Sequence, residues 1–184
     1  MSKTSRTLAL ILGAAALAGS ALVTAAPAQA ATPAKQCKTT TKTFALPSKP
    51  DVKVSATICM QRTAISGGYR YYETWLSSIS WDGTSSFIGG KRFNGLSVQS
   101  RAKHGKTVVK NCSYGTCEER SIASYINNAE RGSKSFARGA AGYGVVFVKT
   151  KAPNWTGDAT AFFDVADDGI PTKKWELTGT RAVY

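Results

Sequence analysis

Histidine occurs once and methionine twice in 184 residues, and acidic side chains are outnumbered by basic ones, 11 against 24. Each shortage excludes something. A nucleophilic triad needs a base, and His104 lies alone in "RAKHGK", a cationic turn that offers nothing to orient its ring; it suits a solvated turn histidine. A zinc centre would need more ligands than His104 can add to cysteines that lack C-x-x-C spacing. "FIGGKRF" is too short for a phosphate loop and has no helix after it. No internal repeat appears, and no linker divides the chain. Beyond residue 30 no apolar run approaches the roughly 20 residues of a membrane span.

The carboxylates gather late, at Asp158, Asp164, Asp167, Asp168 and Glu176. A glycosidase needs two across a cleft, one of them held protonated, and "DVADDG" lacks the alternating aspartates of a calcium loop. The plainer expectation is that Asp167-Asp168-Gly169 turns a hairpin between "AFFDV" and "KKWEL". No catalytic, cofactor or metal residue is assigned, and the chain is read as a non-enzyme.

Residues 1–30 read as a secretory signal peptide: Lys3 and Arg6, an apolar run "LALILGAAALAGSALV", and Ala28-Gln29-Ala30 as a cleavage site. Its removal takes two positive charges from the formal +13 and no negative one, leaving +11 on residues 31–184. The expectation is a secreted, extracellular domain whose surplus charge favours anionic partners. Between Gly83 and Cys117 there is no acid, while Lys91, Arg92, Arg101, Lys103, Lys106 and Lys110 are basic. That stretch predicts a positive hairpin, either edge-protecting charge or a docking patch around Lys103, His104 and Lys106. Nucleic acid is not expected as a partner, because Phe93 is the hairpin's one aromatic.

Four cysteines in an exported chain imply two disulfides. "CSYGTC" closes most easily through a turn at Tyr114-Gly115, which pairs Cys112 with Cys117 and leaves Cys37 for Cys59. From Val52 the pattern has period two: Val52, Val54, Ala56, Ile58 and Met60 face one way, Lys53, Ser55, Thr57 and Cys59 the other. In "YRYYETWLSSISW" the same rule puts Tyr69, Tyr71, Glu73, Trp75, Ser77, Ile79 and Trp81 on one face. "FNGLSVQSRA" and "KTVVKNC" flank the turn "KHGK", and "GYGVVFVKTK", "DATAFFDVA" and "KKWELTGTRAV" follow. "CEERSIASYINNAERG" is open between helix and strand. Eight or so strands predict a single all-β domain at 51–184, an antiparallel sandwich or barrel braced by disulfides, with the tryptophans in its core.

Residues 31–50 precede it as a tail or donor segment. "TTTKTFAL" suits either an edge strand docked on its own sheet or a strand donated to a partner, with Thr39, Thr41, Thr43, Phe44 and Leu46 making the contacts. The order "ALPSKPDVKVSATICMQR", "SSISWDG", "WTGDAT" and "KKWELTGTRAV" resembles small secreted β-proteins of actinomycetes, among them the adaptor subunits of umbrella toxin particles. That resemblance implies an adaptor bridging a lectin-like subunit and a repeat-bearing stalk protein in an antibacterial complex, by insertion of residues within Ala31–Leu46. Two rival readings come from the residues themselves. One is a protease inhibitor presenting Tyr114 on its disulfide loop; the other is a cell-wall or polyanion-binding module using the basic hairpin.

Overall fold

The computed structural model describes residues 35–83, 90–109, 120–138 and 144–184. Cys112, Cys117, Tyr114 and Lys110 lie outside these, as does the proposed signal peptide. Two antiparallel sheets pack face to face. The first holds β1 (Lys35–Leu46), β2 (Lys49–Ser66) and β3 (Tyr69–Gly83) in order; β7 (Arg131–Ser135) and β8 (Val145–Thr150) pair with opposite halves of β3. The second runs β10 (Lys173–Leu177), β9 (Thr156–Val165), β4 (Phe93–His104) and β5 (Thr107–Val109), with β6 (Arg120–Ser121) also on β4. The described strands form an antiparallel sandwich and close no barrel.

Period two sets the core. Val52, Val54, Ala56, Ile58 and Met60 are all fully buried, facing Leu96, Val98, Ala159, Ala161 and Phe163 of the other sheet within one cluster that Met60 alone leaves for a second. That second cluster joins Met60, Tyr72, Ala102, Val148, Trp155 and Val183. All four tryptophans, Trp75, Trp81, Trp155 and Trp175, are buried. Gly157 marks a close approach of the sheets: a Cβ there would lie 2.5 Å from Thr74 Oγ1 and 3.1 Å from Met60 Cβ. Gly157→Ala should therefore overpack the interior and cost about 1–3 kcal/mol, measured as a lower urea midpoint with an unchanged slope.

β3 departs from the alternation read in its sequence. Opposite Thr57 and Ile58 the register jumps from Ser78 to Leu76, so Ser77 is an extra residue, a β-bulge that reverses which side faces inward. Ile79 and Trp81 enter the main core. Before the bulge it is Tyr72 and Leu76 that point in, and Tyr69, Tyr71, Glu73 and Trp75 stand on the outer face. Trp75 is nonetheless buried there, packed with Cys59 and Val145.

The segment open between helix and strand is both in part: β6, then a single turn of helix, α1 (Ala123–Asn127), then β7. Arg92 fastens this turn. It is 2% exposed, and its Nη1 donates to the carbonyls of Ile126, Ala129 and Glu130 at 3.0, 2.8 and 3.3 Å. Burial lowers its pKa, against which Glu130 raises it. The hairpins at Gly105 and at Asp167-Asp168-Gly169 form as expected. In the second, Asp167 and Gly169 take positive φ, and Asp168 Oδ1 accepts from Ile170 N at 2.8 Å.

Candidate functional site

β1 is the edge of the first sheet, and among the described strands it pairs with β2 alone. Eleven residue pairs set the register, with Cys37 directly opposite Cys59. These two form the disulfide, with Cα atoms 4.1 Å apart. So short a separation belongs to the non-hydrogen-bonded pair of an antiparallel ladder. Alternation then makes Thr39, Thr41 and Thr43 non-hydrogen-bonded as well, so the N–H and C=O of Cys37, Thr39, Thr41 and Thr43 point away from β2, towards the open edge. Lys38, Thr40 and Lys42 carry the ladder to β2.

The side chains of Thr39, Thr41 and Thr43 stand on the outer face. Thr39 lies in a row with Thr57, Ser78 and Ser135, and Thr41 in a row with Ser55, Ser80 and Ser133. The hydroxyl of Thr39 meets that of Thr57 at 2.8 Å, and Thr41 meets Ser55 at 2.8 Å. Phe44 and Leu46 are 3% and 7% exposed and belong to the core. The two side chains expected to reach into a partner's pockets are thus committed to the chain's own fold, because β1 is docked and its register turns Phe44 inward beside Val52.

Beside the N-terminal half of β1 runs the segment that follows β10. Thr178 N donates to Thr40 Oγ1 at 2.8 Å, a contact to a side chain, and among the described residues no backbone hydrogen bond reaches the outward peptide groups of β1. A recess of about 440 Å³ lies here between Gln36-Cys37-Lys38 and Thr178–Arg181. Lys42 sits inward at the edge, with Nζ 4.7 Å from the Phe163 ring centre. Inward-pointing lysines at an edge oppose casual strand pairing, and they favour an incoming strand that brings carboxylates.

Part of the basic hairpin is paired with acids. Arg92 is structural. Arg101 Nη2 lies 3.1 Å from Asp158 and 2.7 Å from Glu176, and Lys103 Nζ also pairs with Asp158. His104 stacks on Trp155 with ring centres 5.4 Å apart, and Lys106 stands exposed in the turn. Register on β4 and β9 aligns Arg101 with Asp158, so acids distant in sequence reach two cations of a run that reads as uniformly basic. Asp158 and Glu176 are ion-pair partners of one guanidinium. Among the described residues no group of three or more His, Cys, Asp or Glu side chains could hold a metal, and no helix is long and apolar enough to cross a membrane.

Burial pushes the Glu176 carboxyl up, but hydrogen bonds from Arg101 and Thr160 outweigh it and hold its pKa below the ordinary value. A depressed folded pKa contributes stability above the ordinary glutamate range that is lost as pH falls through the folded value. Glu176→Gln should flatten this acid limb by about 0.5 kcal/mol, small because the side chain is 60% exposed and screened. Urea titrations at pH 6 and pH 3 measure it.

A second feature escaped the sequence. At the far end of the first sheet, Tyr71, Glu73, Phe147 and Lys149 share the outer face, with Tyr71 opposite Lys149 and Glu73 opposite Phe147. They line a groove of about 570 Å³ that reaches Thr63 and Ser66 of β2. The alternation of aromatic and basic residues in "YRYY" and "FVKTK" is its sequence signal. Comparison with protein-family models, curated proteins and solved structures finds no match to the chain.

Proposed function

We propose that this chain is a non-enzymatic binding subunit whose protein partner adds a strand to the open edge of β1. The observation that carries the reading is a twelve-residue edge strand pinned by Cys37–Cys59 and presenting the outward peptide groups of Cys37, Thr39, Thr41 and Thr43. Strand addition draws affinity from main-chain hydrogen bonds and specificity from alternate side chains. A disulfide-held edge loses little conformational freedom on binding. The threonine side chains on one face and the inward lysines on the other would select the partner. The resemblance to umbrella-particle adaptors supplies the finer form: a secreted adaptor between a lectin-like subunit and a repeat-bearing stalk, used against competing bacteria. In this form β1 accepts a strand and is not itself donated.

Proline tests the edge directly. At Thr41 it removes an outward N–H and spares the ladder to β2; at Thr40 it breaks the ladder. C-terminally tagged protein, purified from culture supernatant without reducing agent, should retain its partner as wild type and lose it as Thr41→Pro, with the cooperative unfolding transition kept. Retention of the partner by a folded Thr41→Pro protein would contradict strand addition.

A further inference from the structure

The groove at the far end of the first sheet has the makings of a ligand site unrelated to the β1 edge. Its volume, about 570 Å³, falls in the range of small-ligand sites. Phe147 and neighbouring Tyr69 are each 37% exposed, so aromatic surface is presented to solvent where the strands could have carried polar residues. Lys149 Nζ lies 4.9 Å from the Tyr69 ring centre and 5.6 Å from that of Tyr71, and Lys151 Nζ lies 5.3 Å from Tyr69. Within the same groove the Glu73 side chain is only 14% exposed, with Oε2 3.3 Å from Arg138 Nε. Burial raises its pKa, an effect that Arg138 opposes.

These groups specify a ligand with three properties. Flat apolar faces call for the aromatic rings, hydroxyl donors for the half-buried carboxylate, and negative charge for the lysines. A sugar ring with an acidic substituent has all three. A nucleic-acid strand satisfies the rings and lysines, but it would bring a phosphodiester against Glu73, where a donor is wanted.

We propose that this groove binds an acidic polysaccharide: a sugar ring rests on Tyr71 and Phe147, its hydroxyls donate to Glu73, and its carboxylate group pairs with Lys149 and Lys151. The site is independent of strand addition at β1 and stands or falls separately.

Affinity electrophoresis of the full chain tests it, in native gels cast with polygalacturonate, alginate, dextran or poly(dT). Either acidic polymer should retard the protein, and dextran should not. Phe147→Ala and Lys149→Gln/Lys151→Gln should each weaken that retardation at least tenfold, whereas Lys106→Gln, a lysine outside the groove, should leave it unchanged. Thermal melting confirms that the variants fold, as their exposed positions predict. Four results would overturn the proposal: no retardation by either acidic polymer, equal retardation by dextran, stronger retardation by poly(dT), or equal weakening by Lys106→Gln. The last would mean diffuse attraction to net positive charge.

Discussion

Phe44→Ala should destabilise the protein by about 3–5 kcal/mol, the cost of deleting a large aromatic from a core that cannot close over the space. Phe44 is 3% exposed, and its ring meets three others edge-on: Phe93 at 5.1 Å, Phe163 at 4.9 Å and Trp175 at 5.7 Å between centres. Those rings come from β4, β9 and β10, so one side chain of β1 ties the edge strand of the first sheet to three strands of the second. Guanidinium denaturation should show the midpoint falling steeply, while Thr41→Ala, on the outer face of the same strand, should fall within about 0.5 kcal/mol of wild type. Near-equal effects of the two would mean that β1 is a loosely held tail.

Removing the Cys37–Cys59 disulfide by a double change to alanine should cost about 3 kcal/mol, as expected for opening a loop whose ends are 22 residues apart in sequence. Cys59 also fills space between Trp75 and Val145, and the shortened side chain leaves a small cavity there. The two ends of β1 should respond differently. Phe44 and Leu46 hold the C-terminal end by burial, whereas the N-terminal half, "KQCKTT", has no buried apolar side chain of its own. In the double variant the amides of Lys38 and Thr40 should therefore lose more hydrogen-exchange protection than those of Ser55 and Thr57, which point away from β1 towards β3. Uniform loss along β1 and β2 would show that the bridge stabilises the sheet as a unit and does not specifically hold the edge.

The contrast between β2 and β3 shows what could be read from the sequence. β2 keeps strict alternation over its core-facing half, so its inward set, the sandwich class and the place of Cys59 were all legible. β3 has equally good alternation on paper. Its bulge at Ser77 changes no composition and leaves no turn residue, since it arises from the register of two neighbouring strands. Reading through it joined Tyr69, Tyr71 and Glu73 to Ile79 and Trp81 as one face, which hid the aromatic groove among core residues. The basic run hid two of its partners for a related reason. Charge along a sequence says nothing of partners across a sheet, and β9 and β10 bring Asp158 and Glu176 to Arg101. The open edge at Thr39, Thr41 and Thr43 was half legible: the threonines suited an edge strand or a donated one alike, and which peptide groups face outward depends on the Cys37–Cys59 pairing.

The most direct measurement is residue-resolved amide exchange along β1, in the free protein and in complex with the partner that co-purifies with it. In the free protein Thr39, Thr41 and Thr43 should exchange rapidly while Lys38, Thr40 and Lys42 stay protected, and the complex should slow the first set with little change in the second. If all six amides are protected in the free chain, or if the partner leaves Thr39, Thr41 and Thr43 exchanging as before, β1 is not an open edge awaiting a strand.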